Sequence, residues 1–492
     1  MNNPTEEVNR RGRLFVIYAA ILTAMAAGMG WGIRGQYGHE TGAMIAGTLT
    51  SLTLVLLFVP AVSSLAAARA AAMMTIAIGI GGSMTYGQTV GLTHDAPLIG
   101  NWEALRWGML GLFVKGGIWI GFAGVFLGMG LGGKRYRSAE LLGVMVALFA
   151  LMFLGIWLIN SPFDPASRTL PRIYFSDSWY FEPAGDLKPR REVWGGLLTA
   201  LLGLAAYVRL VRGDRLAGRM AIVGFIAGGL GFPGGQSLQA FHAWNPQLFT
   251  DGALSDYSKY FQYFNWWNMM ETTFGLIFGS VLAVGLWLNR QWILLDEPEE
   301  VTISPPWEVL LCTAHVVLLL TSEFLRLPGR AALIGRYTEF GLLMSVLPLV
   351  GVAGGRFWPY LMLFPVAAGP IVGKTLRQMS YENPEISVSV GWFTLVLIPI
   401  SILFIAATWL IWQGMKNQSA RVFAAIGLLV TTWLYFGLNS VFFRFPWPWK
   451  EWTSRTPNQI IFSVCAISLS LAAFVLGARV VDLSQSRRRV DS

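Results

Sequence analysis

The sequence predicts an all-α, polytopic transmembrane helical bundle, and three observations carry that prediction. Hydrophobic residues make up 54% of the 492-residue chain and charged residues only 13%, against roughly 25% charged in soluble domains. Apolar runs of the roughly 20 residues needed to cross a bilayer recur from end to end. No stretch between them is long enough for a soluble domain of ordinary size.

In chain order the runs lie near 14–33, 42–64, 68–88, 105–131, 139–160, 194–211, 218–235, 268–289, 306–324, 337–353, 357–373, 388–413, 421–442 and 459–481. That is about 14 spans in a single integral membrane domain over residues 1–492. The first run follows Arg10, Arg11 and Arg13, as a signal peptide would. It is too long for a simple signal core and has no small-x-small cleavage site, so it reads as a retained helix. Short loops then alternate in charge. Lys134, Arg135 and Arg137, then Arg209, Arg212, Arg215 and Arg219, then Lys416 and Arg421, share one side with Arg487, Arg488 and Arg489 of the tail. The positive-inside rule places both termini in the cytoplasm, and a bacterial inner (plasma) membrane is the expected location. Segments 161–193 and 237–267 are the long outer loops and read as covers over the outer face.

Cys312 and Cys465 both fall inside apolar runs and read as packing residues. The net charge of +9 is spread over helix flanks and termini, so no nucleic-acid partner is expected. Membrane lipid and a small polar or anionic solute are the expected partners. There is no Walker, dinucleotide-binding or haem motif and no nucleophile elbow, and no cofactor is expected.

Internal similarity is the most informative feature. A Gly-rich segment from Gly28 ends in Gly35-Gln36 and is followed by His39 and Glu40. A second, from Gly79, ends in Gly87-Gln88 and is followed by His94 and Asp95. A third, from Gly228, ends in Gly235-Gln236 and is followed by His242. Asn101-Trp102 and Asn265-Trp266 then open returning helices with Gly-Leu pairs at the same interval. Repeat-like helix-hairpin units therefore span 14–64, 68–131 and 218–289, in one orientation. Glycine lets helix backbones approach closely and permits a helix to end or unwind. An unwound end at membrane depth must be buried in protein or line a wet cavity. Three such ends at one depth predict a shared outward cavity.

The polar residues of these units are the candidate site. Three of the four histidines fall in them. Their spacing matches no metal motif, so a hydrogen-bonding or proton-carrying role is expected, with no metal ligands. His315 stands alone in an apolar run and reads as a hydrogen-bonded packing residue. Lys115, beside Gly116 and Gly117 in mid-span, is a charge that needs an explanation. Glu103 and Arg106 lie near the outer end of its helix, and Glu271 one turn into the counterpart. Arg34, Arg106, Lys115, Arg326 and Arg336 together predict an electropositive cavity suited to a carboxylate, phosphate or sulfate. Tryptophans at the same level, Trp102 among them, offer apolar faces for a sugar ring. The expected substrate-binding set is Arg34, Gln36, His39, Glu40, Gln88, His94, Asp95, Trp102, Glu103, Arg106, Lys115, Gln236, His242, Asn265 and Glu271. The sequence thus predicts a secondary permease for a small polar, possibly anionic or sugar-like solute. The alternative is a membrane-embedded enzyme at the outer leaflet, such as a glycosyl or related group transferase on a lipid-linked substrate.

Overall fold

The computed structural model describes residues 4–38, 40–59, 63–82, 84, 86–167, 169, 171–173, 181, 192–294, 300–324, 342–416 and 419–490, with side-chain contacts for all of these except 4–11, 40, 322–324, 342–344 and 478–490. The described residues form helices and connecting turns, with isolated bridges and no strand. In order, the first six helices are α1 (Pro4–Arg34), α2 (Glu40–Phe58), α3 (Ser64–Gly81), α4 (Gly87–His94), α5 (Trp102–Leu131) and α6 (Ser138–Ile159). Next come α7 (Trp194–Val211), α8 (Arg215–Trp244), the short α9 (Pro246–Thr250) and α10 (Ser258–Phe261), and α11 (Trp266–Leu288). The chain then forms α12 (Pro305–Phe324), α13 (Leu342–Gly354), a continuous helical rod α14 over 358–382, α15 (Val388–Gly414), α16 (Ala420–Phe442) and α17 (Thr456–Val490).

Eleven of the described helices are long and apolar enough to cross a membrane, and two more apolar helices are shorter. The chain is in this respect consistent with an integral membrane protein. Helix starts follow from local chemistry. Ser63, Asn101, Asp214, Asn265 and Ser419 each accept a backbone N–H of the first turn with a side-chain oxygen, opening α3, α5, α8, α11 and α16. Asn101 and Asn265, singled out as equivalent in the sequence, are thus both N-caps.

The centre is built from α1, α2, α3, α5, α8 and α11, which pack on one another most extensively. Small residues set the approach. A Cβ on Gly116 of α5 would strike the carbonyl of Gly228 on α8, and one on Gly228 would strike the carbonyl of Gly116. The two backbones therefore touch, as in close helix crossings in membranes. Trp31 fills the middle of this group, edge-on to Trp119, Phe274 and Phe278. Burial falls outward. The hydrophobic windows of α2 and α3 are each 89% buried, those of α6 and α15 only 22% and 28%. The latter present Phe153, Trp157, Phe404 and Ile405 outward, as a lipid-facing rim does.

Two expectations about helix ends are not met. Of the three Gly-rich segments, α1 does stop at Arg34, but α3 stops at Gly81 and Gln88 lies inside α4. The third does not stop at all, because α8 runs through Pro233 and Gln236 to Trp244. Its last turns are held by tertiary contacts: Trp244 donates to the Thr93 carbonyl at 2.8 Å and His242 stacks on Trp266. The segment expected as a loop over 237–267 therefore begins at Asn245 and contains α9 and α10.

Candidate functional site

At thirty residues, α5 and α8 are each about 45 Å long, some 15 Å more than the roughly 30 Å hydrocarbon layer. Between their upper halves and α1 and α11 lies a buried polar cluster. Its scaffold is the break between α3 and α4. α3 ends at Gly81, and α4 begins at Gly87 and runs for eight residues under the upper face.

Arg34, the last residue of α1, is 2% exposed. Its guanidinium donates to the Tyr86 hydroxyl from both terminal nitrogens, at 3.2 and 2.6 Å. It lies 3.6 Å from the Glu271 carboxylate and 5.0, 5.3 and 5.4 Å from the rings of Trp31, Tyr86 and Trp119. Three aromatic rings around one cation replace part of its hydration shell. Glu271, also 2% exposed, accepts from Tyr86 at 3.3 Å, from Trp267 Nε1 at 3.2 Å and from Asn268 Nδ2 at 3.2 Å. Gly35 lies against this carboxylate, and a Cβ there would meet Glu271 Oε2. Arg455, just before α17, supplies a second positive charge to Glu271. Burial lowers its guanidinium from the ordinary value, and the Glu271 charge offsets this in part.

A second ion pair lies deeper. The Lys115 ammonium, with no exposed surface, donates to both Glu192 oxygens at 2.8 and 2.9 Å and to Thr89 Oγ1 at 2.8 Å. Glu192, 6% exposed, stands just before α7. Gly116 abuts Gly228 while Met270 and Phe274 abut Gly235, so the two pairs are offset along α8 by seven residues, about 10 Å. A third contact completes the cluster: Gln236 Nε2 donates to Thr93 Oγ1 at 2.7 Å. Tyr86, Thr89 and Thr93 thus carry one stripe, at α4 and the residue before it, to three different partners.

The sequence-predicted residues divide accordingly. Arg34, Lys115, Gln236 and Glu271 meet around α4. His94 lies beside them, its ring 6.3 Å from Trp267 and its Nδ1 3.0 Å from the Val90 carbonyl. Asp95, 40% exposed, is 3.8 Å from His94. His242 stacks on Trp266 with ring centres 4.2 Å apart. Trp102, Glu103 and Arg106 are exposed, with Trp102 against Trp244. Arg106 therefore does not join Arg34 and Lys115 in one electropositive cavity, and each of those two cations is already matched by a carboxylate. Gln36 and Gln88 are half-buried and Asn265 serves as the N-cap of α11. His39, Arg326 and Arg336, and the Glu40 side chain, lie outside the described residues. His315 is buried against Trp358, but among the described residues neither ring nitrogen has a hydrogen-bond partner. It is a packing residue without the expected bond.

Tyr86, Glu192, Thr89, Thr93 and Asn268 were not singled out from the sequence. A signal existed for two of them. Tyr86 precedes Gly87-Gln88 as Arg34 precedes Gly35-Gln36, and these two side chains bond each other. A buried Lys115 also demands a carboxylate partner, which Glu192 provides. Among the described residues no group of three His, Cys, Asp or Glu side chains is placed to hold a metal ion. No known protein family, curated protein or solved structure matches this chain.

Proposed function

We propose that the protein is a secondary transporter for a small anionic, carboxylate-bearing or sugar-acid solute, with the cluster around α4 as its binding site. The observation that carries this reading is the buried Arg34–Tyr86–Glu271 triad at a broken helix. Broken spans whose ends and carbonyls face a buried polar site recur where membrane proteins bind and release solutes. In this reading the chain has about 14 spans built partly from the repeat-like units 14–64, 68–131 and 218–289, with both termini in the cytoplasm of a bacterial cell.

The charges suggest how such a site works. A bare guanidinium in this setting is costly. Glu271 neutralises it while the site is empty. A solute carboxylate that takes the bidentate position on Arg34 displaces Glu271, and the uncompensated Glu271 then takes up a proton. One anion and one proton enter together, and the buried charge count is unchanged. The three aromatic rings and Asn268 remain as partners for the solute body.

Purified protein in liposomes tests this, with uptake of a panel of hydroxy acids and sugar acids measured under an imposed proton gradient. Uptake of one class, driven by inward proton flow and lost in Arg34→Ala, is the expected result. Failure of every anion, with Arg34→Ala indistinguishable from the parent, overturns it. The outer-leaflet enzyme remains the second reading because of one observation. Below Lys115 the α5 and α8 backbones touch repeatedly, at Gly116–Gly228, Gly124–Gly224 and Gly128–Ala217. A site with so thick a floor fits chemistry performed from one side, and product formation from a lipid-linked sugar without net uptake decides for it.

A further inference from the structure

The buried polar cluster holds acceptors that its own side chains leave unused. Gln236, with no exposed surface, donates its amide nitrogen to Thr93 Oγ1 at 2.7 Å, while its Oε1 has no partner among the described residues. The neighbour fixes the orientation of that amide. The Thr93 hydroxyl donates its single hydrogen to the Val90 carbonyl at 2.7 Å, so it accepts from Gln236, and the NH2 end of the amide must face it. Gln239, 7% exposed, repeats the pattern one turn further along α8: its Oε1 is also buried with no partner among the described residues. It lies four residues after Gly235, which abuts Met270, and three before His242, which stacks on Trp266. It therefore shares the face that α8 turns toward the first turns of α11. Trp267 stands at that end of α11, its ring 6.2 Å from Tyr86 and 6.3 Å from His94.

A buried amide oxygen without a donor is costly, and two on one helix call for a physical reason. A ligand that supplies donors removes that cost. A hydroxyl does so without adding charge, whereas an ammonium between two neutral carbonyls would need a counter-ion of its own. We propose, resting on the transport reading, that Gln236 and Gln239 accept hydroxyl groups of the solute, so that the site takes a polyhydroxy acid of the sugar-acid kind and rejects a bare carboxylic acid. Arg34 holds the carboxylate and the two glutamines read the body. Tyr86, the contact of Arg34, and Thr93, the contact of Gln236, are seven residues apart, about 10 Å along the helix. An acid as short as lactate does not engage both ends.

The test is calorimetry on the purified full-length protein with gluconate, glucuronate and galacturonate against hexanoate, which has the same carbon count and one carboxylate but no hydroxyl. The expected result is a sugar acid bound at least about a hundredfold tighter than hexanoate, because the analogue leaves the buried acceptors unpaired. Gln236→Met and Gln239→Met, made separately, each shrink that preference by about threefold to tenfold. The ratio of the two affinities is a readout that a general loosening of the fold leaves in place. Gln239→Met keeps the test decisive if Gln236→Met, which also loses the bond to Thr93, fails to fold. Equal binding of hexanoate and the sugar acids, or a preference unchanged in the folded variants, overturns the inference. If Arg34→Ala still abolishes binding in that case, the transport reading stands without it. No binding of any acid overturns the transport reading itself, and the inference falls with it.

Discussion

Removing the Glu192 carboxylate is the sharpest perturbation this molecule offers. Glu192→Gln keeps the volume and one acceptor but takes the carboxylate away from the Lys115 ammonium, which has no exposed surface and also donates to Thr89. Two of its described hydrogen bonds, at 2.8 and 2.9 Å, now go to that carboxylate. A buried charge stripped of its partner costs about 3–5 kcal/mol, two to three and a half orders of magnitude in an unfolding constant at about 1.4 kcal/mol per decade. The double change Lys115→Met with Glu192→Leu removes both charges and their desolvation, so it recovers the parent stability or exceeds it by about 1–4 kcal/mol. Denaturant unfolding of the purified protein, followed by tryptophan fluorescence, measures all three species. A single variant within about 1 kcal/mol of the parent, well below the 3–5 kcal/mol expected, would refute the reasoning. So would a double variant no better than Glu192→Gln, since the pair would then not act as a unit.

Other outcomes follow from the same geometry. Arg34→Lys keeps the charge but loses the two-pronged bond to Tyr86 and the planar fit among three rings, so solute uptake falls by about tenfold or more. Glu271→Gln mimics the proton-loaded state: solute binding, read by thermal stabilisation, is retained while uptake no longer responds to a proton gradient. Gly228→Ala places a methyl against the Gly116 carbonyl, a backbone atom that cannot step aside, and destabilises by about 1–3 kcal/mol. Cysteines at Ser255 and Lys134 label from opposite sides of sealed vesicles, Ser255 from outside, in a background with Cys312 replaced.

The membrane class and most helix positions were legible because hydropathy and length act locally. The returning helices were legible for the same reason, since Asn101 and Asn265 cap their own first turns. The interior of the site was less so. The Gly-Gln repeat drew attention to Gln36, Gln88 and the histidines beyond them, yet the residues before the glycines, Arg34 and Tyr86, turned out to bond. Which side of a helix faces its neighbours is decided by packing, and sequence spacing alone does not reveal it. The course of α8 shows this again. Proline and glycine at 233–235 read as an end, but contacts from Trp244 to Thr93 and His242 to Trp266 carry the helix on. Glu192 sits after two arginines in a loop, where nothing local marks it as the partner of a lysine 77 positions away.

The short helix α4 has a consequence for how such a sequence can drift. Tyr86, Thr89 and Thr93 are spaced like teeth on one key, and each tooth meets a lock on a different helix. Turning the key by a single residue's rotation would withdraw all three at once, so an insertion or deletion between 82 and 94 leaves no half-fitted intermediate. Descendants of this chain are expected to keep that spacing rigidly, and to exchange the three side chains and their partners as a block.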